Sequence, residues 1–295
     1  MANQLISPNR RGFLALSASL FGGIVYHASA AQADAIFNPQ PVTINGYNSD
    51  AMEPFLSRNG RILFFNNSND PHVNTNLHWA TRVDALNFQY KGEISGVNTD
   101  ALEGVASMDI HGTFYFVSTR NYDKTSSTIY WGKFKDGAVD RVELVPGIST
   151  VTPGIVNFDA EISADGKTLY FVESQFSIFG TPKTAKILIA RRIDDRFIRD
   201  PQSEALLANI NIGRLNYAPS TIPSQLEIFF TTLDTGLPLN YRATRPDINS
   251  AFGKAERIEA IVGLSEAVTV AGAGKAIYFH SKIKDRYVIM RANRN

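Results

Sequence analysis

The sequence predicts an all-β fold, a five-bladed β-propeller of four-stranded antiparallel blades, and three observations carry that expectation. An apolar-aromatic triplet recurs as Leu63-Phe64-Phe65, Phe114-Tyr115-Phe116, Leu169-Tyr170-Phe171, Ile228-Phe229-Phe230 and Ile277-Tyr278-Phe279. The triplets end 51, 55, 59 and 49 residues apart, a period that suits a unit of four strands. The two chain ends are also complementary. The fifth repeat stops after strands at Glu266–Val270, Lys275–His280 and Arg286–Arg291, while Pro41-Val42-Thr43-Ile44-Asn45-Gly46 has no blade of its own. A closing strand at 40–46 is therefore expected to complete the last blade and remove its exposed edge.

Within each repeat the elements follow one order. A short first strand, such as Pro54–Ser57, Gly104–Met108 or Ala160–Ala164, runs into a turn. The turns are Asn59-Gly60, His111-Gly112, Asp165-Gly166, Ser224-Gln225 and Ala273-Gly274, and Asn-Gly or Asp-Gly suits the positive φ of a tight hairpin. The triplet is the second strand, and Phe and Tyr there fill the wedge between neighbouring sheets. Third strands end at Arg82, Arg192, Arg245 and Arg294, which are expected to form a solubilising rim on the face away from the channel mouth, while blade two departs with Trp131-Gly132-Lys133. Fourth strands are expected at Phe88–Ile94, Ala138–Leu144, Glu204–Ala208 and Ala255–Ile261. The blades then run over 53–97, 103–147, 159–210, 217–262 and 266–295, one domain spanning 34–295.

Residues 1–33 stand outside this pattern. Arg10-Arg11-Gly12-Phe13-Leu14 precedes a weakly apolar run, and Ala31-Gln32-Ala33 has the small-x-small form of a cleavage site. This resembles a twin-arginine signal, which implies export of a folded protein to the periplasm. Removing it leaves 27 basic against 28 acidic residues and no transmembrane segment. The whole chain carries 29 Lys+Arg, 28 Asp+Glu and no cysteine. That balance excludes the basic face of a nucleic-acid binder, and the missing thiols exclude disulfide scaffolds, thiolate metal sites and cysteine nucleophiles. The chain is expected to act as a monomer.

The run Asp159-Ala160-Glu161-Ile162-Ser163-Ala164-Asp165-Gly166-Lys167-Thr168-Leu169-Tyr170-Phe171 resembles the WD-like propeller repeat of the TolB type. Glu53–Phe65 and Glu266–Phe279 are weaker copies, and Ala218–Phe230 lacks the Asp-Gly turn. The resemblance implies the propeller fold, in domains that serve as protein-binding platforms, as sensors and occasionally as enzymes.

In a propeller the first strands line the central channel, so the residues that open them converge on one mouth. Counting back 12 or 13 positions from each triplet's end selects Glu53, Glu103, Asp159, Tyr217 and Glu266, and Glu161 lies two residues further on the same side. Carboxylates gathered in one mouth repel, which raised pKa values or a calcium-like cation would relieve; no cofactor is required. Loops above the mouth add His72, Arg120, Tyr122, His280 and Lys282 as candidate ligand-binding groups. Two readings follow. The mouth binds a small molecule, a glycan or a periplasmic protein without chemistry, or Glu53, Glu103 and Asp159 or Glu161 act as the paired carboxyls of a glycoside hydrolase. The second plan resembles five-bladed furanosidase-type glycosidases, whose first three blades open with acidic residues; here the first is Glu53-Pro54 where those enzymes begin with Asp. A third reading is a lyase or isomerase in which His280 works with Lys282 or Arg120.

Overall fold

The computed structural model describes residues 36–69, 73–177, 180–234, 236–271 and 274–294, so the expected signal at 1–33 and His72 lie outside the described residues. The chain enters as β1 (Ile36–Pro41) and β2 (Thr43–Asn45). Blade one is β3 (Met52–Leu56), β4 (Ile62–Asn66), β5 (Leu77–Arg82) and β6 (Asn87–Glu93). Blade two is β7 (Glu103–Met108), β8 (Thr113–Ser118), β9 (Ile129–Lys135) and β10 (Ala138–Leu144), with a single helical turn, α1 (Tyr122–Thr125), between β8 and β9. Blade three is β11 (Ile155–Ile162), β12 (Thr168–Phe176), β13 (Pro182–Ile193) and β14 (Arg196–Arg199), followed by α2 (Ser203–Leu206). Blade four is β15 (Asn216–Thr221), β16 (Glu227–Thr232), β17 (Leu239–Thr244) and β18 (Glu256–Arg257); blade five is β19 (Ser265–Ala271), β20 (Ala276–Ile283) and β21 (Arg286–Arg294).

The ring is closed by the N-terminal strand. β1 pairs antiparallel with β21, Ile36 opposite Arg294 and Pro41 opposite Met290, which supplies the fourth strand of blade five. The closing strand is shifted from the expected 40–46. Thr43–Asn45 instead runs parallel to β6, with Ile44 opposite Phe88, as a fifth strand of blade one. Val42 and Ile44 are the reason: both are buried in the apolar seam between blades five and one, so the chain crosses that seam. Blade three differs too. Asp194 adopts φ 53 and turns the chain at once, so Ile193 faces Arg196 and the fourth strand is β14; residues expected to form it, Glu204–Ala208, begin within α2.

The triplets explain the packing between blades. Leu63 and Phe65 face blade five, whereas Phe64 faces blade two. Leu169 and Phe171 likewise face blade two and Tyr170 faces blade four. Alternation along a strand therefore sends two side chains into one seam and one into the next. Each fully buried aromatic contributes roughly 1.5–3 kcal/mol relative to exposure.

The arginines that end third strands do more than form a rim. Arg192 donates to Tyr115 Oη at 2.6 Å, and Arg245 donates to Tyr170 Oη at 2.8 Å, each reaching the preceding blade. Arg294 donates to both Glu227 oxygens at 2.8 and 2.7 Å, again one blade back. Arg245 is 4% exposed, stacked 4.3 Å over Phe252. Arg82, exposed as Arg192 is, bonds instead to the Asp84 and Gly60 carbonyls of its own blade.

Candidate functional site

Every first strand carries the same irregularity. Its ladder register slips by one residue, and a residue at the slip adopts a left-handed φ: Glu53 at 48°, Val105 at 53°, Asp159 at 50°, Ala218 at 50° and Ala267 at 60°. Such bulges re-aim side chains, and a non-glycine residue there costs about 1–3 kcal/mol. All five line the cavity at the centre of the ring. The cavity measures about 30 Å³, room for one or two waters, so any larger ligand must sit over the mouth.

Five of the sequence-derived candidates meet at this mouth. Glu53 and Asp159 are the bulge residues of blades one and three, and Tyr217 and Glu266 immediately precede the bulges of blades four and five. His280 stands opposite Glu266 on β20. The Glu53 N–H donates to His280 Nδ1 at 3.2 Å, which sets the proton of a neutral ring on Nε2. His280 Nε2 lies 3.6 Å from Glu266 Oε1, too far for a hydrogen bond, and has no other partner among the described residues. The Tyr217 hydroxyl donates to Glu266 Oε2. The Ala218 N–H donates to Asp159 Oδ2 at 2.8 Å, and Asn69 Nδ2 donates to Glu53 Oε1 at 2.8 Å.

Burial and crowding raise the pKa values of these groups. Burial, followed by the Glu53 carboxylate, pushes the Asp159 carboxyl well above its usual range; Ala218 N–H opposes this and Glu266 adds to it. Burial also raises Glu53, with His280 opposing, Glu266 adding and Asn69 opposing. Burial and then Glu266 keep the Tyr217 hydroxyl protonated. For His280, burial favours the neutral ring, but Glu266 and Glu53 outweigh it and raise the pKa. The Nδ1 contact works against that rise, because a second ring proton would face the Glu53 N–H. Among the described residues, no lysine or arginine pairs with Glu53, Asp159 or Glu266, and no group of three His, Asp or Glu is placed to hold a metal ion.

The other candidates lie elsewhere. Glu103 is fully buried and accepts from Thr99 N (2.8 Å), Thr99 Oγ1 (2.7 Å) and Ser118 Oγ (2.7 Å), with Arg120 at 3.3 Å. It precedes its blade's bulge by two residues, so it does not share the position of Glu53 or Asp159. Arg120 is spent on this carboxylate and on stacking over Phe116 and Tyr130. Glu161 points at Arg58, 3.0 Å away, and accepts from Ser107 Oγ at 2.7 Å. Arg58 also donates to the Met108 and Ile162 carbonyls, so it ties blade one to blades two and three. Tyr122 donates to the Ile155 carbonyl, and Lys282 is exposed, 5.6 Å over the Tyr287 ring.

Sequence reasoning missed Asn69 and Arg58. The run Asn66-Asn67-Ser68-Asn69 was a signal for the first: Asn66 Nδ2 donates to Asn69 Oδ1 at 2.9 Å and holds it against Glu53. Nothing local marks Arg58, whose carboxylate partner lies 103 residues away.

Fold and mouth together define a five-bladed β-propeller with an acidic entrance. Its structural neighbours include a family 117 glycoside hydrolase from the marine bacterium Zobellia galactanivorans, at TM-score 0.55 and 12% identity over 88% of this chain and 91% of that one. The catalytic domain of a GH62 α-L-arabinofuranosidase from Coprinopsis cinerea matches at TM-score 0.54 and 10% identity, over 89% and 98%. TolB from Acinetobacter baumannii matches at TM-score 0.48 and 12% identity over 84% of this chain, which spans only 55% of TolB's length. At these identities the likeness is one of fold. No family model matches the chain, and no curated protein matches it in sequence. No helix among the described residues is long and apolar enough to cross a membrane.

Proposed function

We propose that the protein is exported to the periplasm and binds a hydroxyl-rich ligand, a glycan, over the mouth formed by Glu53, Asp159, Glu266, Tyr217 and His280. The observation that carries this reading is three carboxyl groups without an arginine or lysine, beside a buried histidine whose Nε2 has no hydrogen bond. Protonated carboxyls and an imidazole N–H donate while carboxylate oxygens accept, the mixture that sugar hydroxyls require. Titration calorimetry with neutral and amino oligosaccharides tests it. The wild type is expected to bind at least one, and Glu266→Gln to bind it about tenfold more weakly, the equivalent of one charge-assisted hydrogen bond. No binding by a folded wild type, or equal binding by the variant, overturns the reading.

A second reading is glycoside hydrolysis, favoured by the burial that raises the Asp159 pKa. Asp159 would serve as general acid and Glu266, held by Tyr217, as base or nucleophile. Release of 4-nitrophenol from aryl furanosides, lost in Asp159→Asn, supports it; binding without turnover returns the first reading. Export by the twin-arginine route rests on Arg10-Arg11 and predicts that replacing both with lysine retains the protein in the cytoplasm.

A further inference from the structure

Among the described residues, Glu161 pairs with Arg58 and Glu103 with Arg120, each carboxylate buried. The mouth's three carboxyls pair with no lysine or arginine among those residues, and His280 is their one cationic neighbour there. Building such a cluster is unfavourable unless some outside group offsets it in the working state.

Two buried groups point to that group independently. His280 is wholly buried, with Nε2 aimed at the cluster and unbonded. Below the mouth, Ser220 lines the channel, 4% exposed, and its Oγ likewise has no hydrogen-bond partner among the described residues. Its counterpart in blade two, Ser107, is bonded to Glu161. The site therefore holds an imidazole Nε2 without a hydrogen bond, 3.6 Å from Glu266, and an unbonded hydroxyl, beside carboxyls that no lysine or arginine pairs among the described residues. A bare metal ion would satisfy neither donor, and the carboxyls are not grouped to ligate one. A polyatomic cation that brings its own N–H donors, joined to a hydroxyl oxygen that accepts from His280, satisfies the whole set.

We propose that the ligand of this mouth presents a primary ammonium group beside a hydroxyl, as a free amino sugar does, with the ammonium seated among the Glu53, Asp159 and Glu266 carboxyls. This deepens the glycan reading and rests on it. The groups facing Asp159 are Glu53 on β3, Glu266 on β19, and Tyr217 and the Ala218 N–H on β15; His280 on β20 faces Glu53 and Glu266, with Asp50, before β3, a further negative charge beside it. On its own strand, Glu161 is already neutralised by Arg58. An incoming ammonium lowers the carboxyl pKa values, so each proton leaves a carboxyl oxygen for solvent as the N⁺–H contacts form.

Calorimetry at pH 6 in two buffers of different ionisation enthalpy counts those protons. The probes are the β-1,4-linked glucosamine trimer, its fully N-acetylated counterpart, and spermidine. The expected result is that the glucosamine trimer binds about tenfold or more tightly than the acetylated one, with net proton release and an affinity that rises between pH 5 and 6.5. Asp159→Asn and Glu53→Gln, each checked by circular dichroism, should each reduce the proton release. Equal binding of both trimers without proton release overturns the ammonium assignment and leaves glycan binding standing. Spermidine binding as tightly as the glucosamine trimer keeps the ammonium assignment and overturns the glycan frame. Binding of none of the three overturns the assignment.

Discussion

Asp159 and Glu161 lie two residues apart on β11 and face the same channel, yet only Glu161 is given an arginine. Glu161 is fastened by Arg58 and Ser107 and belongs to the scaffold. Asp159 is answered by one backbone N–H and by two further acidic groups. The comparison teaches that burial of a carboxyl does not mark a site; burial without a counter-charge does. It also sorts Glu103, which was expected at the mouth but lies with Arg120 among the scaffold carboxylates.

The largest expected effect breaks the lower pair. Arg58→Met leaves Glu161 buried and unpaired, and urea unfolding should show a loss of about 3–5 kcal/mol, partly restored by adding Glu161→Gln. A loss below about 1 kcal/mol would mean that the pair is not structural, and the contrast with Asp159 would collapse. Glu103→Gln comes next. It weakens a fully buried network around Arg120 and should cost about 1–3 kcal/mol while leaving ligand affinity at the mouth unchanged. An affinity change larger than its stability cost would put Glu103 back in the site.

The upper cluster should respond to pH in a direction of its own. A carboxyl whose folded pKa is raised contributes most below its unfolded value, and that stability is lost as pH rises through the folded pKa. For Asp159 the window opens near 3.8 and extends upward, and Glu53, raised from 4.5, acts in the same sense. Wild-type stability should therefore fall with rising pH above about 4, by up to about 1.4 kcal/mol per unit of raised pKa. Asp159→Asn should flatten that slope and be the more stable protein at pH 8; thermal melts across pH 4–8 read it directly. A parallel slope in the variant would show that Asp159 carries no excess proton. The smallest effect belongs to Tyr217→Phe. Losing the hydroxyl on Glu266 should weaken ligand binding by about 0.5–1.5 kcal/mol, seen by calorimetry, with little change in melting temperature.

Much of this molecule was legible before its structure. The triplets, their hairpin turns and the missing fourth strand of blade five are periodic features, and periodicity survives in a linear chain. The same periodicity located Glu53, Asp159, Tyr217 and Glu266, because every blade repeats the bulge. It misplaced Glu103 for a local reason. In blade two, five residues separate the paired Met108 and Phe114, against six between Leu56 and Leu63 in blade one, so counting back from the triplet overshoots the bulge. The same limit explains blade three, where the turn at Asp194 returns the chain sooner than the spacing implied.

The sequence by itself determined the blade count, the strands that carry the seams and the convergence of acidic residues on one mouth. Those follow from the side-chain period of a strand and from repetition. Only the tertiary structure decided which carboxyls are neutralised. Arg58 reaches Glu161 across 103 residues, and His280 meets the Glu53 backbone across 227. Ring closure sets those distances, and electrostatic pairing depends on distance in space and on exclusion of water, neither of which is written in the order of residues.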